Sequence, residues 1–281
     1  MSGVLVTGGA GQLGRAFAGR MPDAVVLDRA SLDITDPDQV QKVLTDVRPD
    51  VIYNTAAYTA VDRAEIEPEE AHRVIVDGVA NLATEANRAG ALLVHFSSDY
   101  VFRGNAGPYS EADDPDPLSV YGRTKLASER AAAQSDRHLV VRASWVFGEG
   151  RNFVRSVVQA AEGREELSVV DDQRGRPTYA VDLAAGVEKL VRKGRTGVYH
   201  LAGGGEAATW ADVAETALRA AGLGCRVLRV TTEKYYAGRE GPIAPRPANS
   251  ELDCSRASRD GISLRPWPQA VAEYVKKLKR S

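Results

Sequence analysis

Residues 4–19 read VLVTGGAGQLGRAFAG. Four strand-forming residues run into a glycine turn, and the turn opens onto a helical pattern. Gly8, Gly11 and Gly14 stand at G-x-x-G-x-x-G spacing. Glycine in such a turn lets the backbone approach a pyrophosphate with no Cβ in the way, and the N–H groups at the helix start face the anion. The same spacing also suits a plain tight turn, so the rest of the chain decides the reading.

Short apolar runs alternate with longer helical segments. AVVLD (24–28), VIYNTA (51–56), LLVHFSS (92–98) and LVVRAS (139–144) are apolar almost throughout, as strands buried on both faces of a parallel sheet should be. TDPDQVQKVL (35–44) has Asp36 placed to cap and Pro37 at the first helical position. EPEEAHRVIVDGVANLATEANRAG (67–90) predicts one long helix ending at Gly90. After about residue 145 strands become sparser, and Pro and Gly gather in DDQRGRPTY (171–179) and EGPIAPRPANS (240–250). A helix over 181–193, a strand in GVYHLAG (197–203) and a helix in TWADVAETALRAAG capped by Thr209 complete the pattern. The expectation is an α/β protein with a Rossmann-type doubly wound parallel sheet and a smaller, discontinuous C-terminal substrate-binding lobe. Residues 1–144 and 180–204 would form the nucleotide-binding domain, and 145–179 with 205–281 the second.

The bulk numbers exclude several classes. A net charge of −2 over 281 residues, with no long basic run, disfavours nucleic acid or an anionic membrane as partner. No apolar run is long enough to span a bilayer, and the N-terminal stretch lacks the basic head of a signal peptide. Cys225 and Cys254 are too few for a disulfide framework, and neither they nor His72, His95, His138 and His200 show metal-ligand spacing. A reduced, cytoplasmic protein without a metal site is expected.

Candidate chemistry lies where strands end, since ligands of open α/β sheets sit beyond the carboxyl ends of the strands. Asp28 closes the second strand, about 20 residues beyond the glycines, where a carboxylate can bond a ribose hydroxyl. Arg29 comes next and could instead meet a 2′-phosphate, so NADH and NADPH both stay open. NTAAY (54–58) brings small Ala56 and Ala57, with room for a ribose and nicotinamide, and SSDY (97–100) brings the Ser98 hydroxyl. Then PLSVYGRTKLASE sets Tyr121 and Lys125 at i and i+4 on one helix face. A tyrosine hydroxyl has an ordinary pKa of about 10. A neighbouring ammonium, together with an oxidised nicotinamide, would lower it and fit it to exchange a proton with a ketone oxygen. A Y-x-x-x-K pair alone is usually a solvated pair. Behind a phosphate turn and two strand-end loops it reads as a ketoreductase centre.

With these residues in place, the chain resembles the dTDP-4-dehydrorhamnose reductase family of the extended short-chain dehydrogenase/reductase superfamily. The matching stretches include TGGAGQLG, NTAAYTAVDRAE, SSDYVFRG, PLSVYGRTKLASE, SWVFGEGRNF, DDQRGRPTYAVDLA and PRPANSELD. The resemblance implies Tyr121 as proton donor, Lys125 as ribose contact and tuner of the tyrosine, and Ser98 where the family usually has Thr. It implies Gly11, Gln12 and Leu13 at the pyrophosphate, Asp33 and Ile34 at the adenine, and Ala56, Ala57 and Tyr58 at the nicotinamide. Ser98, Asp99, Tyr121, Trp145, Asn152 and Arg246 would contact a dTDP-sugar, with Trp145 against the deoxysugar ring and Arg246 at the diphosphate. The implied reaction is NAD(P)H-dependent reduction of the C4 ketone of dTDP-4-dehydro-6-deoxy-L-mannose to dTDP-L-rhamnose. Reduction of another dTDP-4-keto-deoxyhexose, an epimerase or dehydratase holding NAD, and a non-catalytic NADP-binding regulatory subunit like that of methionine adenosyltransferase are the alternatives. Monomer and homodimer stay open. One departure stands out, Ile75, where the family usually has Asn.

Overall fold

A computed structural model of the chain describes residues 3–279. The first half alternates strand and helix: β1 (Val4–Thr7), α1 (Gln12–Arg20), β2 (Val25–Leu27), α2 (Pro37–Val47) and β3 (Val51–Asn54). Two short helices, α3 (Val61–Ala64) and α4 (Pro68–His72), a π turn at Arg73–Asp77 and α5 (Gly78–Ala89) lead to β4 (Leu92–Ser98). A 3₁₀ turn at Asp99–Val101 precedes α6 (Val120–Ala132) and β5 (His138–Ala143). The second half holds β6 (Val146–Phe147), α7 (Phe153–Ala161), β7 (Glu166–Val170), β8 (Arg174–Gly175), β9 (Thr178–Tyr179), α8 (Ala180–Arg192) and β10 (Gly197–His200). It closes with β11 (Ala208–Thr209), α9 (Trp210–Ala221), β12 (Arg226–Val230), α10 (Thr232–Tyr236), α11 (Ser255–Arg259) and α12 (Trp267–Leu278).

Six strands form one parallel sheet in the order β10-β5-β4-β3-β1-β2. The strand order reverses at β1, so a crevice opens beyond the carboxyl ends of β1 and β3, the place where such sheets bind ligands. Register fixes the floor of that crevice: Thr7 lies beside Asn54, and Asn54 beside His95.

The apolar strands divide their side chains between two faces, as a period of two requires. Val6, Tyr53, Val94, Phe96 and Val141 meet Phe17 of α1 and Leu183, Val187 and Leu190 of α8. Leu5, Ile52, Leu93 and Val140 meet Val40 and Leu44 of α2, Leu82 and Ala86 of α5, and Ala131 and Ala132 of α6. Burying each large apolar side chain in these layers contributes about 1.5–3 kcal/mol. A separate core joins α7, α9 and α12 through Val157, Val213, Ala217, Trp267, Val271 and Tyr274.

The capping signals read from sequence have their expected geometry. Asp36 accepts from the backbone N–H groups of Asp38 and Gln39, Gly90 ends α5 in the left-handed region, and Thr209 and Asp212 form a reciprocal capping box. Two features differ from expectation. The single helix anticipated over 67–90 runs without a break from Pro68 to Ala89, but it contains a π turn at Arg73–Asp77 that widens it around buried Ile75. The second half also holds a parallel strand pair, β7 with β12, in stretches that carried no expectation of strand.

Candidate active site

A cavity of about 760 Å³ lies over the crevice. The glycine turn forms one wall. Gly8 has φ +70°, and a Cβ there would stand 2.5 Å from the Ala56 backbone nitrogen. A Cβ on Gly14 would stand 2.4 Å from the Gly8 carbonyl oxygen, so this glycine lets α1 pack on the turn and does not itself line the cavity. Gly11 is the extended N-cap of α1 and offers no side-chain cap, so the first N–H groups of the helix are left for a ligand. Gln12 and Leu13 line the same wall, and the Gln12 Oε1 is buried without a protein partner.

At the far end lie Arg29, Asp33 and Ile34. Asp28 does not join them. Its carboxylate accepts from the Ser31 N–H at 3.0 Å and the Ser31 hydroxyl at 2.8 Å, and these bonds lower its pKa. Both bonds go to Oδ1 and close a local turn, and Asp28 is not among the residues that line the cavity, where the ribose contact was expected. Arg29 remains at the cavity rim, largely exposed, 3.8 Å from Glu70. Asp33 is held by the Thr35 N–H and hydroxyl.

Ala56, Ala57, Ser98, Asp99, Tyr121 and Lys125 meet at the centre. Ser119 caps α6 by accepting from the Gly122 N–H, and Gly122 lets the helix rest on the Tyr100 carbonyl, where a Cβ would stand at 2.3 Å. That close seat puts Tyr121 edge-on to the Tyr100 ring, at 5.9 Å between centroids, with its phenol in hydrogen-bonding reach of Ser98. Ser98 also donates to Asp99 at 2.9 Å, and Ser250 donates to the other Asp99 oxygen. Burial pushes the Asp99 carboxyl up to about 6 against both hydroxyl bonds. Lys125 is 4% exposed and donates to the Phe96 carbonyl at 3.0 Å. Burial brings its pKa down to about 8.

The expected tuning of the tyrosine differs from this. Burial first, then the negative charge of Asp99, push the Tyr121 phenol above its usual range, with Ser98 opposing. Among charged groups it is Asp99 that acts on the phenol, and the Lys125 ammonium donates to the Phe96 carbonyl. A phenol is protonated at neutral pH at its ordinary value already, so this shift makes it a weaker acid, and the positive charge of an oxidised nicotinamide would act in the opposite direction.

A buried polar line supports the floor. Thr7 donates to the Asn54 Oδ1, the Asn54 amide donates to the His95 Nδ1, and the His95 Nε2 faces the Ser128 hydroxyl at 2.8 Å. Ser128 in turn donates to the Lys125 carbonyl. This sequence of donors assigns the His95 proton to Nε2. Burial, then the Lys125 charge, keep His95 neutral by pulling its pKa well down. Ile75 is buried on the π turn and brings no hydrogen-bonding side chain.

Three more expected residues stand outside the cavity. The Tyr58 hydroxyl donates to Glu67. Asn152 caps α7, and its amide bonds the Gly148 and Gly150 carbonyls and the Tyr274 hydroxyl, so its polar atoms are spent inside the protein. Arg246 pairs with Asp62 and lies over the Tyr236 ring at 5.5 Å. Trp145 does line the cavity, stacked on Trp210, which also lines it and which sequence reasoning passed over as the first residue of a capped helix. Among the described residues, no group of three or more His, Cys, Asp or Glu is placed to hold a metal ion.

Residues 1–280 match the family model described as the RmlD substrate binding domain. The chain is 38% identical to the spore coat polysaccharide biosynthesis protein SpsK of Bacillus subtilis (strain 168), over 98% of this chain and 97% of that protein. It is 38% identical to the dTDP-4-dehydrorhamnose reductase of Aggregatibacter actinomycetemcomitans, over 96% of this chain and 97% of that one. A solved dTDP-4-dehydrorhamnose reductase of Bacillus anthracis str. Ames, in complex with NADP, superposes with a TM-score of 0.92 at 34% identity, covering 99% of this chain and 100% of that one.

Proposed function

We infer the reaction from kinship and geometry together: the chain belongs to the RmlD family of dTDP-4-dehydrorhamnose reductases. It is an NAD(P)H-dependent oxidoreductase that reduces the C4 ketone of dTDP-4-dehydro-6-deoxy-L-mannose to dTDP-L-rhamnose. The observation that carries the reading is the meeting of the glycine turn, Ser98, Tyr121 and Lys125 in one cavity.

The cavity wall suits a dinucleotide. Gly11 leaves the α1 N–H groups open to a pyrophosphate. Arg29 stands at the adenosine end for a 2′-phosphate, while Asp28 lies outside the cavity lining, which favours NADPH. Ala56 and Ala57 leave room for the nicotinamide ribose, and Lys125 is placed to bond it. A reduced nicotinamide, when bound, supplies the hydride that reaches C4.

Tyr121 gives its phenolic proton to the C4 oxygen, and the Ser98 hydroxyl orients that oxygen. Residues 1–144 with 180–204 serve the cofactor, and 145–179 with 205–281 serve the nucleotide-sugar, with Trp145 against the sugar ring. Among the described residues no helix is long and apolar enough to cross a membrane.

The test is oxidation of NADPH by the keto sugar, with the product identified by NMR. Tyr121→Phe should lower kcat by roughly 10²–10⁴-fold. Full turnover in that variant would overturn the mechanism, a C4 epimer of dTDP-L-rhamnose as product would overturn the assigned face of hydride delivery, and failure to turn over this keto sugar while another dTDP-4-keto-deoxyhexose is reduced would overturn the substrate assignment. Retained cofactor with no net oxidation would point to an epimerase or dehydratase.

A further inference from the structure

Trp145 is one of two non-glycine residues with positive φ among those described, at +48°. Bulky residues rarely take that backbone, so something must hold it there. The holding groups come from DDQRGRPTY and the start of α9. The Trp145 indole lies flat on that of Trp210, with 3.7 Å between centroids and 9° between planes. Phe153 backs Trp210 at 4.6 Å. The Trp210 indole N–H donates to the Gln173 side-chain oxygen at 3.1 Å, and the Gln173 amide donates to the Thr232 hydroxyl at 2.8 Å. Gly175 passes beneath Trp145, and a Cβ there would stand 2.8 Å from the indole.

We propose that Trp210, tethered by Gln173 and given clearance by Gly175, is a positioning residue that fixes the Trp145 ring as the wall of the sugar end of the cavity. The inference rests on the reductase reading above, in which Trp145 meets the sugar. A lone indole on a strained backbone can swing, and each swing reshapes the pocket. A second indole stacked flat behind it, with its own N–H satisfied, removes that freedom before the sugar arrives. Preorganisation of this kind improves binding by lowering the ordering cost of association. Trp210 therefore governs sugar affinity more than the chemical step, since Tyr121 and Ser98 stand on other elements.

The stacked indoles give a readout independent of turnover, an exciton couplet in far-UV circular dichroism. Trp210→Ala should abolish the couplet and raise KM for the keto sugar roughly three- to ten-fold, the scale of one aromatic pair. Its kcat and NADPH affinity should stay within about two-fold, since a preorganised binding wall acts mainly on association. Trp210→Phe should restore most of the KM. Gln173→Leu, which keeps both rings and cuts only the tether, should weaken couplet and affinity in part. Gly175→Ala should displace the indole and raise KM. Calorimetric binding of dTDP-L-rhamnose to the same variants separates the wall from the reaction. If Trp210→Ala loses the couplet yet binds the nucleotide-sugar as tightly as wild type, the proposal fails. It fails equally if sugar binding, NADPH binding and kcat all fall together. A wild-type protein that binds the nucleotide-sugar without reducing the ketone would instead overturn the reductase reading alone.

Discussion

Replacing Lys125 with Met should make this protein more stable and abolish its reaction. Lys125 is 4% exposed, and burial takes its pKa from 10.5 to about 8. At about 1.36 kcal/mol per pKa unit, holding that ammonium charged at pH 7 costs the folded state roughly 3 kcal/mol. Methionine has a similar reach and no charge. It gives up the bond to the Phe96 carbonyl, a loss of about 1 kcal/mol. The net gain is about 2 kcal/mol. Glu129, the nearby acid, keeps its double bond to Arg142 and is not orphaned. Urea unfolding should show a higher midpoint with an unchanged slope. The pH dependence gives the sharper check. A lysine whose folded pKa is depressed burdens the native state fully below that value, and the burden fades as pH rises toward the unfolded pKa. The variant's advantage should hold at about 2 kcal/mol below about pH 8, shrink as pH rises, and give way to a deficit of about 1 kcal/mol by pH 10.5, the ordinary lysine value, where only the lost Phe96 bond remains. A variant less stable than wild type at pH 7, or a difference that ignores pH between 8 and 10.5, would refute the reasoning.

Two further outcomes rest on named residues. Arg29→Ala should raise KM for NADPH about ten-fold and leave KM for NADH nearly unchanged, because only the phosphate loses a charged partner; equal effects on both cofactors would remove Arg29 from that role. Tyr53 has a fully buried hydroxyl with no hydrogen-bond partner, so Tyr53→Phe should stabilise by about 1 kcal/mol in chemical unfolding. A destabilised variant would show that the hydroxyl is satisfied after all.

What was legible from sequence was local. The turn at Gly8–Gly14, the caps at Asp36, Gly90 and Thr209, and the Tyr121–Lys125 pair all depend on neighbours within a few positions. What was not legible depends on distant partners. Arg246 is claimed by Asp62, 184 positions away, and the Asn152 amide by Tyr274, 122 positions away. Nothing near either residue signals this. Asp28 is a different case, since Ser31 lies three residues on and the side-chain bond between them is a common turn device. The surroundings of Tyr121 are spatial as well: i and i+4 spacing brings Lys125 to the right face, but only the fold shows its ammonium bonded to the Phe96 carbonyl and Asp99 near the phenol from the end of β4.

The polar line from Thr7 through Asn54 and His95 to Ser128 also bears on how the chain finds its strand order. β1, β3 and β4 are buried on both faces, so sliding one past another by a residue costs little hydrophobic burial. Such a slip would turn Asn54 to the opposite face and strand the Thr7 hydroxyl and the His95 ring in apolar surroundings. Each orphaned group costs about 1–3 kcal/mol. The line therefore acts as a proofreading key, rejecting misaligned sheets that the oily side chains alone would accept. It spans the three strands whose ends must meet at the cofactor, so the register that satisfies the line is also the one that sets the catalytic floor.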